Sequence, residues 1–201
     1  MTIPFQLIIG SASTGKTNIL RILLRQFQGN RIFISDSQAA DLHEFSGKAD
    51  MTYISSPGEL KKFMKTLSSV VGSLDEKRTL SGKNQRDFIM SEPPVFVLID
   101  DLDNFIDITK SVAADLEPLV KQASNLGVVF IATITSGKMK GYDGITALFK
   151  SPQAAIALGN PEDAAILLTG LRAPRGYKAS PEFGFWYKRG EICRIKIPYV
   201  E

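Results

Sequence analysis

The chain has 201 residues, 44% of them apolar and 22% charged, with a net charge of +3; this fits one globular domain with a full core, is too short for two comfortable domains and argues against disorder. A single cysteine, Cys193, and a single histidine, His43, exclude an internal disulfide, a cysteine-based zinc site and histidine-rich metal chemistry, and point to a reducing compartment. No apolar run is long enough to span a bilayer, and the first residues do not read as a secretory leader.

In chain order, residues 5–10 read as a short buried strand running into a glycine turn. Residues 17–27 carry Ile19, Leu20, Leu23, Leu24 and Phe27 at helical spacing, with Arg21 and Arg25 opposite. Gly29 and Asn30 stop that helix, and residues 31–35 and 51–54 predict two further strands. Ser56-Pro57-Gly58-Glu59 predicts a capping box opening a helix with the stripe Leu60, Phe63, Met64, Leu67, Val71 and Leu74. Residues 75–94 are polar and long for a loop, so a helical extension or a mobile segment is expected there. Residues 95–99 are the strongest strand signal. They are followed by Asp100-Asp101 and by a helix ending near Leu126, with Pro118 expected in its first turn. Strands follow at 128–133 and 154–158, and Asn160-Pro161-Glu162-Asp163 predicts a capped helix running to Gly170. Residues 183–187 and 192–197 predict a hairpin about Lys188-Arg189-Gly190, into which Trp186 and Cys193 pack, while His43 falls on a surface helix. Alternating helices and buried strands imply an α/β fold with a largely parallel sheet covered on both faces.

Gly10-Ser11-Ala12-Ser13-Thr14-Gly15-Lys16-Thr17 matches G-x-x-x-x-G-K-[ST] at every fixed position, between a predicted strand and a predicted helix. Glycines allow the backbone to turn its amides toward a phosphate, Lys16 adds a cation for the β and γ phosphates, and Thr17 offers a hydroxyl to Mg²⁺ at a helix N-terminus. Without its flanking elements the motif would read as a turn with a surface lysine. The second element is residues 95–101, a buried strand that delivers Asp100 to the sheet edge where phosphate-bound magnesium sits. Asp101 stands where an ATPase places the residue that polarises attacking water. One methylene shorter than glutamate, it reaches roughly 1.5 Å less far, and misplacement by ~1 Å can cost ~10²-fold in rate, so slow hydrolysis is expected. The strand 128–133 ends in hydroxyl residues, making Thr133 and Thr135 candidate γ-phosphate or water sensors; its plain alternative is a strand end and a turn. Arg172 and Arg175 are candidates for acting on a neighbouring subunit's nucleotide.

These motifs, with the glycine-punctuated tail at Gly176, Gly184 and Gly190 and the closing Ile197-Pro198, resemble the FtsK/SpoIIIE-type ATPases, and among them the EssC/EccC proteins of type VII secretion. The resemblance spans most of the chain. It implies a RecA-like P-loop NTPase core with strand order 5-1-4-3-2 and a C-terminal hairpin, binding ATP and Mg²⁺. Its catalytic residues would be Lys16, Asp101 and Thr133, the phosphate cradle residues 10–17, and the metal side Thr17 and Asp100. It further implies that residues 1–201 are one domain, the C-terminal part of a membrane-anchored parent on the cytoplasmic side of the membrane. Such a parent carries several ATPase domains, recognises secreted proteins and assembles as a hexamer. The family pattern carries glycine at Ser13 and glutamate at Asp101, and both departures weigh against efficient turnover.

Two other functions stay open: a nucleotide-stabilised docking module for exported proteins with little catalysis, and an FtsK-like DNA translocase. The small net charge and the lack of a basic stripe weigh against nucleic acid, leaving only the basic residues of 77–86 in its favour.

Overall fold

The computed structural model describes residues 3–36, 41–137, 144–150, 152–165, 167–168 and 170–199. Strand β1 (Phe5–Gly10) leads through the glycine loop into α1 (Lys16–Gln26), and β2 (Arg31–Asp36) and β3 (Met51–Ile54) follow. Two helices, α2 (Leu60–Ser81) and α3 (Gln85–Ser91), then precede β4 (Val95–Asp100). Next come α4 (Leu102–Thr109), α5 (Ala113–Asn125), β5 (Val129–Thr135), α6 (Gly144–Phe149) and β6 (Ala154–Leu158). The hairpin β7 (Phe183–Lys188) and β8 (Glu191–Lys196) closes the chain.

The eight strands lie in the order β3-β2-β4-β5-β1-β6-β7-β8. The first six pair in parallel and the last two antiparallel. From β6 to β2 this is the expected 5-1-4-3-2 arrangement, with β3 added at one edge and the hairpin at the other. The period of two along each buried strand sorts its side chains between two cores. Leu7, Phe33, Val97 and Phe130 face α2, α4, α5 and α6, whereas Ile8, Ile34, Leu98 and Ile131 face Ile19, Leu20 and Leu24 of α1. By the same parity, Asp36, Asp100 and Thr133 lie on the α1 face at the C-terminal edge of the sheet. Open parallel sheets gather ligands at that edge.

Several local expectations change. Residues 75–94 are ordered as the end of α2 and as α3, whose first turn Asn84 caps by accepting from the Asp87 amide at 3.0 Å. The segment 57–59 is a 3₁₀ turn rather than the first turn of α2, and Ser56 makes no side-chain cap; Glu59 still reaches back, accepting from the Ser55 amide at 2.7 Å. Pro118 sits inside α5, not in its first turn. It is tolerated because both it and Ala114, whose carbonyl loses a donor, are on the exposed side where water serves. Of the helix expected to Gly170, the described residues form a 3₁₀ turn over Pro161–Ala164, with Leu168 and Leu171 buried in the core; residues 166 and 169 of that expectation lie outside the described residues. His43 lies exposed on a short 3₁₀ turn, and Cys193 is exposed on β8 instead of packed, since the outer strand of the hairpin has little covering it. Among the described residues, no helix is long and apolar enough to cross a membrane.

Candidate functional site

The loop between β1 and α1 is shaped by two left-handed residues, Ser13 at φ 59° and Gly15 at φ 92°. Glycine adopts that region freely; a serine there carries strain of about 1–3 kcal/mol. That is a physical reason to expect glycine at this position. Gly10 is needed for a different reason than expected. Its φ is not left-handed, but a Cβ there would collide with the Thr14 hydroxyl and approach Leu158 Cβ to 3.0 Å. Thr14 Oγ1 donates to the Ser11 carbonyl at 2.9 Å, and Lys16 Nζ donates to the carbonyls of Gly10 at 3.0 Å and Ser11 at 2.7 Å. The ammonium thus lies over the loop. No side chain caps α1 and no acid stands in its first turn, so the positive end of its dipole faces outward beside Lys16. This concavity suits an anion.

Asp100 ends β4 only 7% exposed. One carboxylate oxygen accepts from Thr17 Oγ1 at 3.2 Å and the other from Thr133 Oγ1 at 2.7 Å. Burial pushes its carboxyl above the ordinary range, opposed by the hydrogen bonds from Thr133 and Thr17 and reinforced by the charges of Asp36 and Asp41. An acid desolvated in this way gains from a nearby cation. Thr17 and Asp100 are hard oxygen donors. Among the described residues no three His, Cys, Asp or Glu side chains gather to hold a metal alone. Few protein ligands completed by phosphate oxygens is the pattern that suits Mg²⁺, so the residues fit it.

Thr133 is fully buried, and its hydroxyl has two duties. It donates to Asp100 and accepts the Asp101 amide at 2.7 Å. It therefore orients the two acids. Thr135, in register with Gly10, lies nearer the loop, as does Ser136, whose amide donates to the Gly10 carbonyl at 3.2 Å and whose hydroxyl is buried without a partner among the described residues. Asp101 takes a left-handed conformation at φ 63° and caps α4, accepting from the Asn104 amide at 3.3 Å. Its carboxylate is engaged by that helix. Arg172 and Arg175 are exposed between β6 and β7, in a segment tied behind the loop by Tyr177, whose hydroxyl donates to the Gly159 carbonyl at 3.2 Å.

Two acids at the site are not among the residues expected there. Asp36 stands opposite Asp100 in register, wholly buried; one oxygen accepts from the Leu42 amide at 3.0 Å and Tyr53 Oη at 2.8 Å. Its other oxygen is buried without a partner among the described residues. Burial, then the hydrogen bond to Asp36, push the Tyr53 phenol up. The signal was present, since β2 is an apolar run ending in an acid just as β4 is. Asp163 accepts from the Ser11 hydroxyl of the loop at 3.0 Å across 152 positions, and nothing local announces it.

A parallel sheet in this order, with a glycine loop opening onto an uncapped helix and a buried acid two strands away, defines a P-loop ATPase fold. No family model matches the chain. It is 27% identical over 206 residues to the ESX secretion system protein EccC of Geobacillus thermodenitrificans, spanning all of this chain but 14% of that relative. Among solved structures, the cytoplasmic domain of EssC superimposes with a TM-score of 0.82 at 22% identity, covering 97% of this chain and 40% of that one. EssC ATPases 2 and 3 from G. thermodenitrificans give 0.81 at 25% identity, over 99% and 37%. ATPases 2 and 3 of Thermomonospora curvata EccC, solved with a signal sequence peptide, give 0.71 at 17% identity, over 99% and 37%. In sequence and fold the chain is similar to the ATPase domains of EssC and EccC.

Proposed function

We propose that this domain binds Mg-ATP as part of a type VII secretion motor and hydrolyses it slowly. The observation that carries the reading is the pairing of the residue 10–17 loop with the Thr17–Asp100 hydrogen bond, which brings a phosphate cradle and a buried carboxylate to one point. Lys16 and the loop amides would hold the phosphates, and Thr17 and Asp100 the metal, whose chemistry is to neutralise phosphate charge. Thr133 keeps Asp100 aimed, and Asp101, one oxygen of which caps α4, would polarise water only through its other oxygen. The likeness to EccC and EssC proteins with several ATPase domains supports partnership with other ATPase domains of one parent chain, and the neighbour solved with a signal sequence peptide supports recognition of secreted proteins. The proposal extends to a membrane-anchored, hexameric parent with this domain on the cytoplasmic side.

Melting temperature titrated with Mg-ATP tests this. Ligand that binds only the native state adds about 2.7 kcal/mol at one hundred times Kd, so the wild type should rise and Lys16→Ala should not. A flat wild-type curve would overturn the reading. The engagement of Asp101 in capping α4 favours a second reading, a nucleotide-stabilised docking module. That reading prevails if Mg-ATP binds while hydrolysis stays at background in both wild type and Lys16→Ala.

A further inference from the structure

Strands β2 and β4 end side by side in two acids. Asp36 and Asp100 are register partners on neighbouring strands, so both carboxylates stand on one face at the C-terminal edge of the sheet. Asp36 is wholly buried. We propose that Asp36 is a positioning residue for the magnesium that Thr17 and Asp100 would hold, its unpartnered oxygen accepting hydrogen bonds from the hydration shell of the cation; this rests on the reading that the domain binds Mg-ATP.

Three observations carry the assignment. Asp36 Oδ2 accepts from the Leu42 amide at 3.0 Å and, at 2.8 Å, from the phenol of Tyr53 on β3, the strand on the opposite side of β2 from β4. Those two bonds fix the chain as it leaves β2, and the carbonyl of an asparagine would accept both. The turn therefore needs no charge. Secondly, Oδ1 is buried without a partner among the described residues, and none of their cations pairs with Asp36. A buried carboxylate oxygen in that state is costly and calls for a donor or a cation. Thirdly, its neighbour in register carries like charge, and Asp36 is close enough to help push the Asp100 carboxyl up. Two acids at one strand edge repel each other and a polyphosphate, and a bound divalent cation reverses both effects. Magnesium takes few protein ligands and keeps several waters, so an acid beyond the ligands can act on it through that shell.

The test titrates ATP by calorimetry into the full chain, as wild type and Asp36→Asn, once with excess Mg²⁺ and once in EDTA. Asparagine keeps the bonds to Leu42 and Tyr53 and removes the charge. Mg-ATP should weaken by about 10- to 100-fold. Metal-free ATP should bind as in wild type or more tightly, because a like charge beside the phosphates is gone. Without ligand, Asp36→Asn should melt no lower than wild type, since a buried unpartnered charge is removed. Tyr53→Phe leaves the carboxylate but releases its orientation, and should weaken Mg-ATP by a smaller factor; it decides the matter if Asp36→Asn fails to fold. Wild-type Mg-ATP affinity in the variant that folds would overturn the proposal and leave the loop reading standing. So would equal loss of Mg-ATP and metal-free ATP, or a lower ligand-free melting temperature in Asp36→Asn, either of which marks a structural effect. If wild type binds neither form of ATP, the loop reading itself falls.

Discussion

Thr133 Oγ1 stands between two acids, giving its proton to Asp100 and accepting the amide of Asp101, both at 2.7 Å. Replacing it with valine keeps the volume and removes both bonds, stranding a buried carboxylate oxygen and the Asp101 amide. Thr133→Val should lose on the order of 2 kcal/mol or more in urea denaturation, while Thr133→Ser should recover most of it. Asp101 makes the next distinction. Asparagine caps a helix as well as aspartate and tolerates left-handed backbone; glutamate does neither. Asp101→Asn should therefore stay within about 0.5 kcal/mol of wild type, and Asp101→Glu should fall by about 1–2 kcal/mol, both read from denaturation midpoints. Lengthening the carboxylate to restore the family pattern thus carries a structural penalty in this chain. The sequence exposed the shortfall in reach at Asp101, but not the cap, because a cap depends on where the next helix begins.

At the scale of elements, the stripe of α2 was legible because helical spacing recurs from Leu60 to Leu74, and Leu60, Phe63, Leu67, Val71 and Leu74 are all buried. Its entry was legible only in part. Glu59 accepts from the Ser55 amide and from the hydroxyls of Ser55 and Ser56. The Ser55 amide is the largest cause of its lowered pKa, with burial acting the other way. A carboxylate lowered in the folded state contributes its stability above the ordinary value of 4.5 and loses it as pH falls through the lowered folded value. Glu59→Gln should cost about 0.5–1 kcal/mol at pH 7. Melting curves of the two proteins should draw together as pH falls below the unfolded carboxylate range. A gap that persisted in acid would show that shape, not charge, is what Glu59 supplies.

Across the whole molecule, the hairpin braces the loop from behind. β7 pairs Gly184 with Leu158 of β6, and Leu158 in turn packs where a Cβ on Gly10 would go. A methyl on Gly184 would meet the Ala157 carbonyl oxygen and Leu158 Cδ2, each at 2.9 Å. Backbone cannot yield as a side-chain end does, so Gly184→Ala should cost about 1–3 kcal/mol in chemical denaturation and weaken Mg-ATP in parallel. Unchanged affinity would show that the loop does not depend on this brace. The phosphate loop, the strand that carries Asp100 and the closing hairpin could all be read from residues alone, because each is a short-range pattern: a turn chemistry, an apolar run, an alternation. The Ser11–Asp163 contact, the alignment of Asp36 with Asp100, the two bonds of Thr133 and the docking of residues 197–199 on α1 could not. They join residues tens to well over a hundred positions apart, and which distant groups meet is set by strand order and crossovers, to which local periodicity is blind.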